Sequence, residues 1–245
     1  MSNDVTVFGA HAVRHLLVHA PERLRRLQIA GEGHPDLAEL ARAGGVSVER
    51  VGRDALERVT DGAVHQGVVA WVVPTPIRGD EALHELLAGL PDQGPPLFLV
   101  LDHIQDPHNL GACLRTADAA GVRAVIIPRD RAVGLTPAVR KVACGAAEWV
   151  PLIQVTNLAR CLRDLQAAGV WVVGTAGTAD TSIYQADLRG PLALVLGSEG
   201  EGMRRLTRET CDMLVNIPMV GAVESLNVSV SAGICLYEAV RQRRA

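Results

Sequence analysis

Three short segments of this chain place polar or flexible residues where an apolar element gives way to a turn. They are Asp106-Pro-His-Asn-Leu-Gly-Ala-Cys-Leu-Arg115, Gly197-Ser-Glu-Gly-Glu-Gly202 and Ser225-Leu-Asn-Val-Ser-Val-Ser231. In the second, glycines at 197, 200 and 202 permit positive φ and close approach of backbone to a ligand. It is neither a Walker-type phosphate loop nor a dinucleotide fingerprint, because Gly-Lys-Ser/Thr and Gly-x-Gly-x-x-Gly are both absent. Its carboxylates, Glu199 and Glu201, would repel a pyrophosphate but tolerate a sulfonium or a sugar hydroxyl. In the first segment Leu110, Cys113, Leu114 and Ala117 recur at helical spacing, with Asp106 or Asn109 placed to start the helix. Arg115 falls on another face, and Gly111 and Ala112 one turn earlier make a small surface beside the guanidinium, suited to a phosphodiester. A capped surface helix with a solvated arginine would use the same residues. The alternating Ser and Asn of the third segment also suit plain helix capping.

The elements that must position these segments alternate between strand and helix. Apolar runs at 97–101, 124–127, 170–174, 192–196 and 214–217 read as strands, and their unbroken hydrophobicity suits a parallel sheet covered on both faces. Helical spacing is firmest at 109–120, 137–147 and 158–168. A further helix at 228–240 is apolar on most of its circumference, which predicts burial all round. Loops at the carboxyl ends of such strands are where ligands dock in open α/β sheets. Upstream, helices at 10–19 and 35–43 alternate with strands at 24–30 and 46–48, a small α/β pattern. Pro74-Thr-Pro76 and Pro91-Asp-Gln-Gly-Pro-Pro96 bracket a short helix at 81–90. The expected organisation is a domain at 1–75, a linker at 76–96 and a larger domain at 97–245.

Composition narrows the function less than the motifs do. A hydrophobic fraction of 48% in 245 residues supports a full core, and no run approaches the ~20 apolar residues of a membrane span. The start, Met1-Ser-Asn-Asp-Val, lacks a secretory pattern, so a cytoplasmic protein is expected. The five cysteines, Cys113, Cys144, Cys161, Cys211 and Cys235, have no Cys-x-x-Cys spacing and are expected as buried free thiols. All eight histidines lie at or before His108, apart from the cysteines, so no metal site is expected. A net charge of −3 does not announce a nucleic-acid partner, although arginines cluster at 23–26, 129–131, 204–208 and 241–244.

Taken in order, the three segments resemble the signature motifs of the SPOUT-class 2'-O-ribose RNA methyltransferases, and the resemblance runs over nearly the whole chain. It is strongest to the bacterial branch that methylates a guanosine ribose in 23S ribosomal RNA. The resemblance implies an α/β fold with a SPOUT-type parallel-sheet domain tied in a deep trefoil knot. A small α/β substrate-binding domain, similar to an RNA-holding ribosomal protein, would precede it. It implies S-adenosyl-L-methionine as methyl donor, ribosomal RNA or its assembly precursor as partner, and a homodimer through the C-terminal domain. Catalytic roles would fall to Asn109, Arg115, Glu199, Asn227 and Ser229. The donor would be held by Thr175, Ala176 and Gly177, by Leu196, Gly197 and Gly200, and by Ile217, Met219, Ser225 and Leu226. The shared motifs leave open a transfer-RNA ribose methyltransferase or a catalytically silent RNA-binding protein on the same scaffold. Near-attack positioning can supply roughly 7–11 kcal/mol, against roughly 3–5 kcal/mol for a general base, so alignment of the two ligands should dominate. Arginine stays protonated, which makes Arg115 a better clamp than base and Glu199 the more natural proton acceptor; the family's proposals for an arginine base stay open.

Overall fold

The computed structural model describes residues 4–89 and 94–244. Residues 1–3, 90–93 and 245 lie outside the described residues, and with them the end of the expected 81–90 helix and part of the second proline-rich segment. The first unit runs β1 (Val5–Phe8), α1 (Ala10–His19), β2 (Leu24–Ala30), α2 (Pro35–Ala43), β3 (Ser47–Val51), α3 (Arg53–Thr60) and β4 (Val68–Val72). Its sheet has the order β1-β4-β2-β3, antiparallel except for the β2–β3 pair. Its core gathers Val13, Leu16 and Leu17 of α1 with Leu27 and Ile29 of β2 and Leu37 of α2. Neither β1 nor α3 stood out in the sequence. Only Leu56 and Thr60 of α3 are buried, too few to give it an apolar stripe.

After α4 (Asp80–Ala88) the second unit runs β5 (Leu97–Asp102), α5 (Pro107–Ala119), β6 (Ala124–Pro128), α6 (Pro137–Ala143), β7 (Leu152–Val155), α7 (Leu158–Ala167), β8 (Trp171–Thr175), β9 (Thr181–Ser182), β10 (Leu192–Gly197), α8 (Arg205–Thr210), β11 (Met213–Asn216) and α9 (Val228–Arg244). The sheet is parallel, with order β7-β6-β5-β10-β8-β11-β9. Side chains alternate between two cores. Leu97, Leu99 and Leu101 face the layer of α5, α6 and α9, while Phe98 and Val100 face α4 and α7. That double cover is why each strand reads as one apolar run. The order runs outward from β5 through β6 to β7, then resumes beyond β10 at β8, so the sheet has a switch point beside the β5–β10 pair. Beyond β11 the chain returns across the strand ends, and α9 packs on α5 and β10.

The segment expected as a linker is docked. Arg78 pairs with the β7 edge through Arg78 N to Leu152 O at 3.0 Å and Gln154 N to Arg78 O at 2.8 Å, and Leu83 of α4 is buried in the core. Three expectations are corrected. The helix expected at 137–147 stops at Ala143, because Cys144 and Gly145 turn left-handed at φ 50° and 94°. A Cβ on Gly145 would stand 2.9 Å from the Cβ of Ala12, so α1 of the first unit fixes this turn. Cys144 is exposed, unlike Cys113, Cys161 and Cys235, whose thiols burial pushes up to about 12. Finally, α9 is not covered all round: Val230 and Tyr237 are each 50% exposed.

The two units meet at Glu148, whose side chain is 2% exposed. It pairs with Arg23 of the first unit and Arg140 of α6. The amide of Thr75 donates to it at 2.9 Å, and Arg23 donates to the carbonyl of Val73 at 2.9 Å. Burial lowers the pKa of both guanidinium groups, and the Arg23 charge lowers that of Arg140 further. Removing the carboxylate leaves two half-dry cations facing each other. Glu148→Ala should lower unfolding stability by about 3–5 kcal/mol in urea titration; a loss below about 1 kcal/mol would show that the clasp is no stronger than a surface pair.

Candidate active site

The middle motif forms a closed loop at the end of β10. Ser198 and Gly202 exchange backbone hydrogen bonds at 3.2 and 2.9 Å, leaving Glu199, Gly200 and Glu201 at the tip. Gly200 and Gly202 take φ of 84° and 68°. Gly197 is required for a different reason: a Cβ there would lie 2.0 Å from the carbonyl carbon of Gly202. The close approach that its smallness allows is therefore to its own loop.

Glu199 joins the three motifs. Its Oε1 accepts from Asn109 Nδ2 at 3.2 Å, Asn227 Nδ2 at 2.7 Å and the amide of Val228 at 3.2 Å. Asn227 also donates to Asn109 Oδ1 at 2.8 Å, while its own Oδ1 accepts from the amide and hydroxyl of Ser229 at 2.9 and 2.6 Å. In the third motif Asn227 thus caps α9 and reaches Glu199 and Asn109 at once. Asn109, Glu199, Asn227 and Ser229 are brought together.

Arg115 is not in that network. Six residues beyond Asn109, it lies roughly 9 Å along α5 and about 240° around it, exposed, with its guanidinium 3.6 Å from the Cys144 thiol. The small surface expected beside it is half used up. A Cβ on Gly111 would sit 2.7 Å from Val142 and 2.8 Å from the Val139 carbonyl, so Gly111 serves the packing of α5 on α6.

Two cavities flank the loop. One, of about 740 Å³, lies at the ends of β8, β10 and β11 under the 217–226 segment. It is lined by Thr175, Ala176 and Gly177, by Gly197, and by Ile217, Met219, Ser225 and Leu226. Of the expected donor residues only Leu196 and Gly200 are absent from it; Leu196 is 1% exposed within β10. Among the described residues Glu224 is its single charged lining residue, and no lysine or arginine lines it. Such a wall suits a ligand with an apolar ring system, hydroxyls and a cationic centre, and not a phosphorylated one. S-adenosyl-L-methionine fits that description.

The second cavity, of about 650 Å³, opens on the other side of Ser198. Its polar lining includes His103, Gln105, Asp106, Asn109, Arg131, Glu199, Glu201 and Arg204. Sequence reasoning missed most of these; the cue available was their place just after β5 and β6, where ligand loops gather. The fully buried Asp102 anchors the rim, accepting from the amide and Nε of Arg204, both at 2.9 Å, with His103 Nδ1 2.7 Å away. Among the described residues no group of His, Cys, Asp and Glu could hold a metal ion.

A parallel sheet with a nearly uncharged crevice and a carboxylate–amide cavity on either side of one glycine loop has room for two ligands side by side, as a group-transfer enzyme requires. Residues 96–237 match the model of the SpoU rRNA Methylase family, and residues 6–77 match an RNA 2'-O ribose methyltransferase substrate-binding model. The chain is 55% identical over 250 residues to the 23S rRNA (guanosine-2'-O-)-methyltransferase RlmB of Shewanella oneidensis, covering 100% of both. It is 55% identical over 242 residues to that of Escherichia coli, covering 97% of this chain and 98% of the other. Among solved structures, the SpoU methyltransferase AviRb of Streptomyces viridochromogenes with AdoMet aligns at a TM-score of 0.76 and 27% identity, over 98% of this chain and 91% of that one. The chain belongs to the SpoU rRNA methylase family.

Removal of the carboxylate at the centre of the cluster should be felt in stability as well as activity. Glu199→Ala strips an acceptor from Asn109, Asn227 and Val228, and should lower unfolding free energy by about 1–3 kcal/mol in a denaturant titration. An unchanged midpoint would mean that water satisfies those donors equally well.

Proposed function

We propose that this protein transfers a methyl group from S-adenosyl-L-methionine to the ribose 2'-hydroxyl of one guanosine in 23S ribosomal RNA, in the cytoplasm. The observation that supports it most is the convergence of Asn109, Glu199 and Asn227 on one oxygen, between a crevice suited to the donor and a second cavity open to an acceptor. The full-length similarity to 23S rRNA (guanosine-2'-O-)-methyltransferases, which includes the N-terminal unit, favours ribosomal over transfer RNA.

When bound, S-adenosyl-L-methionine supplies an electrophilic methyl group on a sulfonium centre. Thr175, Ala176, Gly177, Ile217, Met219 and Leu226 would hold it through backbone and apolar contacts, with Ser225 beside them. The chain's own groups do the rest. With Oε1 of Glu199 committed to three donors, Oε2 is the oxygen available to accept the hydroxyl proton. Asn109 and Asn227 hold that carboxylate in one rotamer, so little reorganisation accompanies the reaction. Arg115 would clamp the phosphodiester of the incoming nucleotide as a permanently charged fork.

The reading includes a homodimer through the C-terminal domain, which is supported by the position of Arg115 outside the Glu199 cluster of its own chain. The exposed Val230 and Tyr237 of α9 give that domain an apolar face, and pairing there would bring the partner's surface against the arginine.

Two experiments test the proposal. Mass spectrometry of ribosomal RNA from cells with and without the gene should show loss of a single 2'-O-methylguanosine; an unchanged ribosomal map with an altered transfer-RNA map reverses the substrate. In single-turnover assays Arg115→Lys should remove most methyl transfer while calorimetry finds donor affinity nearly unchanged, and wild-type turnover would take Arg115 out of the mechanism. For the assembly, Tyr237→Glu should give a monomer in sedimentation equilibrium and lose activity with it. An active monomer would rule out a shared site.

A further inference from the structure

The proposed acceptor cavity holds one carboxylate and one guanidinium that nothing else among the described residues engages. Of its acidic side chains, Asp106 caps α5 by accepting from the His108 amide at 2.9 Å, and Glu199 is committed to the motif cluster. Just behind them, the buried Asp102 is committed to Arg204 and His103. Glu201 alone is exposed with no hydrogen bond or ion pair among the described residues. Its place is set by local backbone: Gly200 and Gly202 on either side are left-handed, and the Ser198–Gly202 pair closes the loop beneath it. Of the two arginines, Arg204 is neutralised by Asp102, whereas Arg131 is exposed and has no ion pair among the described residues. Arg131 is held at φ 56° in the loop after β6, and that loop is tied to the cavity wall by Val133 N to Ile104 O at 3.0 Å.

A phosphate is a poor match for a cavity in which carboxylates outnumber guanidinium groups. A guanine base is a good one. Its Watson–Crick edge offers two adjacent donors, N1–H and the N2 amino group, to an acceptor-only carboxylate, and its N7 and O6 accept from an arginine fork. Adenine would turn its N1 lone pair toward the same carboxylate, and the pyrimidines lack the paired donors. Reading an unstacked base on both edges is the usual route to sequence specificity in single-stranded RNA. We infer that Glu201 and Arg131 are the specificity-determining pair that reads the guanine of the acceptor nucleotide, Glu201 at N1–H and N2, Arg131 at N7 and O6. The inference rests on the ribose-methylation reading above.

Atom-by-atom replacement in the RNA tests it. Full-length protein is assayed on synthetic 23S fragments carrying guanosine, inosine (no N2 amino group) or 7-deazaguanosine (no N7) at the acceptor position, with kcat/KM as readout. Wild type should prefer guanosine over inosine by about tenfold or more, as expected for a charge-assisted hydrogen bond. Glu201→Ala should bring that ratio close to one, and Glu201→Gln, which keeps one acceptor oxygen, should retain part of it. Arg131→Ala should erase the preference over 7-deazaguanosine while leaving the inosine ratio in place. Calorimetric titration with S-adenosyl-L-methionine confirms that each variant is folded. A folded Glu201→Ala that keeps the wild-type ratio, or a wild type indifferent to inosine, overturns the assignment. If wild type methylates no fragment at all, the ribose-methylation reading falls, and the assignment with it.

Discussion

One oxygen organises this protein. Glu199 Oε1 accepts from side chains 90 residues upstream and 28 residues downstream, and from the backbone that opens the last helix. The three segments have no covalent reason to meet. Each is delivered by a different strand end or helix start, and a short polar network fixes their spacing. Glu199 and Asn227 are exposed, so these bonds compete with water and depend on the backbone that delivers each group. The cluster forms only when the sheet has assembled in its one order.

That order also separates two cavities. The sequence of strand connections switches beside the β5–β10 pair, and the glycine loop stands at the switch with a cavity on each side. The crevice over β8 and β11 is nearly devoid of formal charge, whereas the cavity over β5 is densely polar. On the proposed reading these two environments would suit a cationic donor and a hydrogen-bonding acceptor, and the strand order would set their alignment.

The arginines, which give the chain no net basic character, fall into distinct uses. Arg23 and Arg140 spend their charge on Glu148, holding the N-terminal unit against the α6 turn. Arg204 pins the glycine loop to Asp102. Arg115 and Arg131 remain open to solvent, on different faces of the same unit. Counting basic residues could not separate these groups, because a guanidinium that shapes the fold and one that waits for RNA look alike in composition.

The strands of the larger unit were legible in the sequence because burial on both faces leaves an unbroken apolar run, as in residues 97–101 and 192–196. The residues around the crevice over β8 and β11 were named through the family resemblance, because glycine and short polar side chains mark strand ends but ordinary turns use them too. What the sequence concealed depended on contacts from afar. The early stop of α6 follows from Ala12 pressing on Gly145, and the need for Gly111 follows from Val142. Glu148, Asp102 and Arg131 carry no periodic signal, since a single buried carboxylate or one left-handed arginine has no repeat to read. Local pattern determined the elements and the motif residues; the sheet order decided which of them meet, because hydrogen bonds act over about three ångströms and only folding brings residues 109, 199 and 227 within that range.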